Sequence, residues 1–236
     1  MNITALIKSV PLLLFTLCCS SVQAQAIKEV PLSNFTGISV SDGIEVFLSK
    51  GISESAKIVA LDYLVDGVDI RQNNGMLEVK WKTQKSKSRK WLNRTAKVYL
   101  SFKEIATLEI NNGSSVRTNN RLSANKLSIT VSSGAIITAD LDCEELDLQT
   151  SSGASAVLTG STGDLKLQST TSSLVNATGL RVEKAIVNTG SAAKVKLQVS
   201  KKLEVTAGSG SEISYKGNPE VDNFSGPKPG AVKRLD

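Results

Sequence analysis

One feature limits what this chain can become more than any other: a repeat in its second half. A glycine flanked by small polar residues recurs at Gly113 (NNGSS), Gly134 (SSGAI), Gly153 (SSGAS), Gly190 (NTGSA) and Gly208 (AGSGS). Ser172 (TTSSL) fills the place in the fourth copy, and the steps between copies are 21, 19, 19, 18 and 18 residues. Alignment on that position exposes columns. Five residues before it stand Leu108, Ile129, Leu148, Leu167, Ala185 and Leu203, and three after it stand Val116, Ile137, Ala156, Val175, Ala193 and Ser211. Each unit therefore alternates apolar and polar positions, turns at the glycine, and alternates again. Period two is the signature of a strand, because successive side chains point to opposite faces.

A unit of this length cannot bury an apolar face alone, but it can when a like unit stacks above and below it. The economical arrangement is a coil of short parallel strands, one turn per repeat, with each column forming a ladder of about 4.8 Å per rung. The expectation is an all-β chain: a parallel β-helix (solenoid) with coils of about 19 residues over 104–217. Small residues beside the glycine suit a tight corner, glycine supplies positive φ, and stacked Ser, Thr and Asn can hydrogen-bond from rung to rung.

Residues 25–103 are strand-like without that period and are expected to form an antiparallel or irregular β cap over the open edge of the helix. FTGISVSDGIEVFLSKG (35–51) alternates around Asp42-Gly43, a hairpin signal, and VDGVDIRQNNGMLEVKW (65–81) does so around Asn73-Asn74-Gly75. AKVYLSF (96–102) reads as a further strand. The Pro- and Gly-rich stretch 218–236 is expected to be a terminal cap and a loose end.

The first 24 residues carry Lys8, then the apolar run Val10 to Cys19, then Val22-Gln23-Ala24. That is the pattern of a secretory signal, too short to span a bilayer, with the mature chain starting at Gln25 or, from Ala24-Gln25-Ala26, at Ile27. The triplets before Cys18 and Cys19 fit a lipid-accepting cysteine poorly. The chain is expected to be exported, to the periplasm or to the outer-membrane surface and beyond. Past residue 24 it has 27 basic and 22 acidic residues and the single Cys143. An internal disulfide is therefore excluded, and the cysteine is expected to be a small buried hydrophobe. The chain has no histidine. No Ser-His-Asp triad, Cys-His dyad or histidine metal site can form within it.

The sharpest candidate for binding is KWKTQKSKSRKWLNRTAK (80–97), which contains no acid and both tryptophans of the chain. Two readings fit it. It is either a solvated loop whose charges discourage edge pairing, or a patch for an anionic polymer or glycan made by Trp81, Lys82, Lys85, Lys87, Arg89, Lys90, Trp91 and Arg94, with Trp stacking on sugar rings. Nucleic acid is not expected, since no nucleic-acid motif is present. The acids Asp140, Asp142, Glu144, Glu145 and Asp147 lie mostly on alternate positions and are expected to line a solvent face rather than converge on calcium. Gly208-Ser209-Gly210 lacks the Lys-Ser/Thr ending of a phosphate loop and reads as a corner. No metal or cofactor is expected.

The opening FTGISVSDGIEVFLSKG, the later IATLEINNGSSV (105–116) and the Ser-Ser-Gly and Gly-Ser-Gly corners resemble the head GIN domain family, exported proteins of Bacteroidetes also named auto-transporter adhesins. The resemblance spans about residues 30–217. It implies a β-helix-like fold and an extracytoplasmic location, and it carries no catalytic residues. The function expected is non-enzymatic: an adhesin-like or structural protein of the cell envelope that binds an envelope polysaccharide, lipopolysaccharide or surface protein. A polysaccharide lyase on a β-helix and a periplasmic sensory or assembly partner are the alternatives. A lyase needs a Lys, Arg or Tyr base beside clustered carboxylates, and the repeat face offers no such set.

Overall fold

The computed structural model describes residues 25–83, 94–226 and 230–235. Almost every described residue lies in a strand or a turn between strands. The structure is a β-solenoid with coils of roughly 19 residues. Each coil has two long flanks: a pre-corner strand leads into a tight turn, and a post-corner strand leaves it.

The stack begins well before residue 104. Strands β2 (Gly37–Val40) and β3 (Glu45–Lys50) form one coil, and β8 (Thr107–Ile110) and β9 (Ser115–Thr118) lie parallel upon them. On the pre-corner flank β10 (Leu122–Val131) follows β8. Then come β11 (Ile136–Thr150), β12 (Ser155–Ser169), β13 (Leu174–Thr189) and β14 (Lys194–Ala207), each long enough to serve both flanks and each parallel to the next. The stack closes with β15 (Glu212–Lys216), β16 (Glu220–Asn223) and β17 (Ala231–Arg234), all parallel. The stretch expected to be loose thus supplies rungs, because Val221 pairs with Leu203 and Val232 with Ile213.

The other end is built differently. β6 (Met76–Trp81) lies parallel to β2 and β7 (Ala96–Phe102) parallel to β3, so together they add a coil beneath the first. β5 (Val68–Asn73) then pairs antiparallel with β6 through the Asn74-Gly75 turn. β4 (Ser55–Leu61) pairs antiparallel with β7, and β1 (Gln25–Pro31) with β4. A one-turn helix, α1 (Asp62–Val65), joins β4 to the β5 side and buries Leu64 and Val65. Antiparallel strands close this edge of the stack.

The Asp42-Gly43 turn departs from the hairpin reading. β2 and β3 do not pair with each other; each pairs with the coil above and the coil below. Locally the chemistry is the same, since two residues at positive φ reverse the chain in either setting. The flanks decide the outcome: Val40, Ile44, Val46 and Leu48 are all fully buried in the common core.

The corners are four-residue turns with two successive left-handed residues, such as Ser133 (φ 56°) and Gly134 (φ 70°). Each closes with a backbone bond, such as Ala135 N–H to Ser132 O at 3.1 Å. Turns also bond to one another along the axis, Gly113 N–H to Ser133 O and Gly134 N–H to Ser152 O, both at 2.9 Å. The first four residues of the leucine column pile up as expected, Leu108 against Ile129, Ile129 against Leu148, and Leu148 against Leu167. Beyond them the register differs from the sequence reading. Leu167 pairs with Val187, while Ala185 and Leu203 belong to the neighbouring file with Leu165. The cause is an extra residue in β13: Val157 pairs with Asn176, but Thr159 pairs with Gly179. The later corners are therefore turned by Ser191-Ala192 (φ 51° and 62°) and Gly210 (φ 73°), not by Gly190 and Gly208.

The residue following each turn lies inside. Ser114, Ala135, Ala154, Ser173 and Ala193 are fully buried. Where this file carries hydroxyls they are satisfied: Ser173 Oγ donates to Thr170 O at 2.7 Å, and Ser114 Oγ accepts from Gly43 N–H at 3.1 Å; beside the file, Thr150 Oγ1 donates to Ser169 Oγ at 2.9 Å. A buried hydroxyl left unpaired would cost about 1–3 kcal/mol, so these bonds keep the polar corner compatible with the core. Cys143 is likewise buried, 3.4 Å from Thr162 Oγ1, and burial pushes its thiol pKa up.

Candidate surface for polymer binding

The basic segment occupies a corner. Val40 and Glu45, across the Asp42-Gly43 turn, are five positions apart in the chain; their neighbours below, Val79 and Lys97, are eighteen apart. The chain between β6 and β7 is therefore thirteen residues longer than the tight turn of the coil above it. Trp81 closes β6 and is buried, with the Arg94 guanidinium over its ring at 5.1 Å from the centroid. Such cation–π contacts hold the base of a loop by about 0.5–2 kcal/mol. Lys82 is exposed; its backbone N–H bonds Gly67 O at 2.8 Å. Asp66 lies nearby, and the hydrogen-bonded Lys28 holds its carboxyl below the usual range, with Lys82 adding a smaller pull. Lys85, Lys87, Arg89, Lys90 and Trp91 lie outside the described residues, as do residues 1–24 with Cys18 and Cys19.

A cleft of about 610 Å³ opens beside the base of this insertion, walled by Thr95, Lys97, Tyr99, Glu45 and Ser115. It gives onto the outer side of the post-corner flank. There one file of outward residues begins at Lys57 and continues through Tyr99 and Phe47 to Arg117. Arg117 is followed by Thr138, Val157, Asn176 and Lys196; the next rung, Ser214, is buried, and Lys233 lies beyond it. Phe47 and Tyr99 stack with centroids 5.0 Å apart and planes 14° apart, one rung upon the next. Lys97 Nζ lies 5.9 Å from the Phe47 centroid.

The adjoining file on this flank holds Lys97, Glu45, Ser115, Ile136, Ser155 and Leu174, then Lys194 and Glu212. Its two acids face lysines, Glu45 with Lys97 at 3.7 Å and Glu212 with Lys233 at 3.4 Å. Lys57, Arg117, Lys194 and Lys196 are exposed and make no ion pair among the described residues. Ile136 and Leu174 stand about half exposed between the charged ends.

The pre-corner flank looks different. Lys126 pairs with Glu145 at 3.0 Å, and Lys202 bridges Glu204 at 2.7 Å and Asp222 at 3.3 Å. These contacts raise the pKa of Lys126, chiefly through its hydrogen bond to Glu145, and that of Lys202, through Glu204 and Asp222. The acid-rich segment 140–147 is split between directions rather than gathered. Asp140 meets Arg121 at 3.1 Å, Asp142 accepts from Ser161 at 2.6 Å, and Glu145 faces Lys126. Among the described residues no three metal-ligating side chains converge. No helix among them is long and apolar enough to cross a membrane.

The sequence reading pointed to the insertion but not to the file beside it. The file assembles strands β4, β7, β3 and β9, an order that crosses the chain order twice. Only the alternation within each strand gave a signal, and that signal does not say which strands are neighbours.

Solved structures share the fold. One is of "a putative adhesin" from Bacteroides fragilis NCTC 9343, with a TM-score of 0.82 and 15% identity, covering 90% of this chain and 98% of that one. Another, of a "putative adhesin" from Parabacteroides distasonis ATCC 8503, has a TM-score of 0.74 and 16% identity, covering 91% and 98%. A third, a "Putative lipid binding protein" from the same Parabacteroides strain, has a TM-score of 0.67 and 16% identity, covering 90% and 97%. No curated protein matches the sequence. The family model described as "Putative auto-transporter adhesin, head GIN domain" matches residues 34–219, nearly the whole described stack, and the chain belongs to that family.

Proposed function

We propose that the protein is a non-enzymatic, exported, adhesin-like module that binds a polymer of the cell envelope or its surroundings, working in the periplasm or at the outer-membrane surface. One observation carries this reading. A thirteen-residue basic insertion replaces the tight turn of the coil above it, and an open cleft is walled by Thr95 and Lys97 at the insertion's end. Trp81 and Arg94 brace the insertion, and Lys82, Lys85, Lys87, Arg89, Lys90 and Trp91 supply its charge and its aromatic surface. Family membership supports adhesion as the role. The polymer classes are envelope polysaccharide, lipopolysaccharide and a surface protein, and neither a cofactor nor nucleic acid enters the reading.

A glycan array probed with the chain from Gln25 tests it. Binding that falls when Lys85, Lys87, Arg89 and Lys90 are reversed to Glu, and that weakens with salt, supports the assignment. Binding unchanged by the reversal removes the insertion from the role. Release of unsaturated sugar products from a uronic-acid polymer would replace adhesion by lyase chemistry.

A further inference from the structure

We infer that the outward file from Lys57 to Lys196 is a track for a linear acidic polysaccharide, laid along the solenoid axis. The inference rests on the polymer-binding reading above and names its ligand class and a second surface for it.

From Lys57 to Lys196 the file runs eight rungs without a carboxylate. At about 4.8 Å per rung it is some 34 Å long. Glu29, paired with Lys57, marks its outer end. Each charged file of the opposite flank is interrupted by acids: Glu145 and Asp164 follow Lys126, and Asp147 precedes Lys166. Opposed charges so placed neutralise one another locally, whereas an acid-free line of cations keeps a net field for an anion.

The spacing selects the kind of anion. Lys57, Arg117 and Lys196 stand three and then four rungs apart, about 14 Å and 19 Å. No small anion spans such gaps. A chain with a carboxylate on each sugar offers one near every cation without needing a matched period. Between the cations the file presents what a sugar chain uses: Thr138 and Asn176 to hydrogen-bond hydroxyls, and Val157 with neighbouring Ile136 and Leu174 to cover C–H faces. Arg117 can hold a carboxylate with two parallel N–H bonds, which a lysine cannot. The cleft at Lys97 and Tyr99 extends the track toward Thr95.

Polygalacturonate is a suitable probe, with dextran as the uncharged control, and affinity is read by titration calorimetry on the chain from Gln25. The double variant Arg117→Glu/Lys196→Glu is expected to lose tenfold or more in affinity. Lys166→Glu/Lys184→Glu on the opposite flank should stay within twofold, and thermal melts verify that both pairs fold. Track variants that bind like the parent overturn the inference, as does dextran binding as tightly as polygalacturonate or no binding of polygalacturonate at all. If reversal of Lys85, Lys87, Arg89 and Lys90 abolishes binding while the track variants do not, the insertion stands alone and the track falls.

Discussion

The two flanks of the solenoid hang on the same rungs yet present opposite chemistry. On the pre-corner side, acids stand among the lysines, and Lys126 pairs with Glu145 and Lys202 with Glu204 and Asp222. On the post-corner side the acids Glu45 and Glu212 are held by lysines, and Arg117, Lys194 and Lys196 remain open to solvent. The inner residues of both flanks are equally buried: Leu148 under one is 0% exposed and Leu158 under the other 1%. The fold therefore constrains the inward alternate positions and leaves the outward ones to be set independently, one flank at a time. Exposed ion pairs add little to stability, typically 0–1 kcal/mol, so the difference between the flanks is not explained by holding the fold together.

The comparison breaks first if the flanks do not share one core. Leu148→Ala and Leu158→Ala should each cost about 2–5 kcal/mol in denaturant unfolding, because each leaves a cavity with no slack around it. A large loss at one position and none at the other would mean that the flanks unfold separately. The next effect is in binding. Thr138→Glu puts an acid into the track and should weaken polygalacturonate binding about tenfold, which is ~1.4 kcal/mol. Gln149→Glu should leave it within about twofold, since Gln149 lies in an uncharged stretch of its file on the opposite flank, away from the track. Glu45→Gln frees Lys97 and is expected to strengthen the same binding by about twofold. The smallest effect belongs to the paired flank. Lys202→Gln removes contacts that raise the lysine's pKa, so the contribution lost is one present at neutral pH and normally lost as pH rises through that raised value. Melting of parent and variant should differ slightly at pH 7 and converge in strong alkali.

Much of the architecture was legible because the repeat writes its period in two registers at once, the alternation of the strands and the glycine at the turn. Leu108, Ile129, Leu148 and Leu167 were placed correctly by both. The reading slipped where the two signals part. At Ser191-Ala192 the turn is made without glycine, while Gly190 sits two residues before the equivalent position, Ala192, and draws the alignment to itself. The bulge near Gly179 compounded this, since its extra residue adds nothing to the alternation. The Asp42-Gly43 corner was misread as a hairpin because a two-residue left-handed turn looks the same in both; only the distant partners Thr107 to Ile110 and Lys97 to Phe102 tell them apart. For the same reason the basic insertion was visible in composition, and the track beside it was not. Tyr99 and Phe47 are fifty-two residues apart in the chain and one rung apart in space.

Each coil bonds only to the coil before and the coil after it. Duplicating or deleting one unit of the 134–152 kind therefore leaves every other contact intact, and changes the molecule's length by a single step of about 4.8 Å. A protein built this way is a ruler with interchangeable graduations: lineages can lengthen or shorten its reach without redesigning either end.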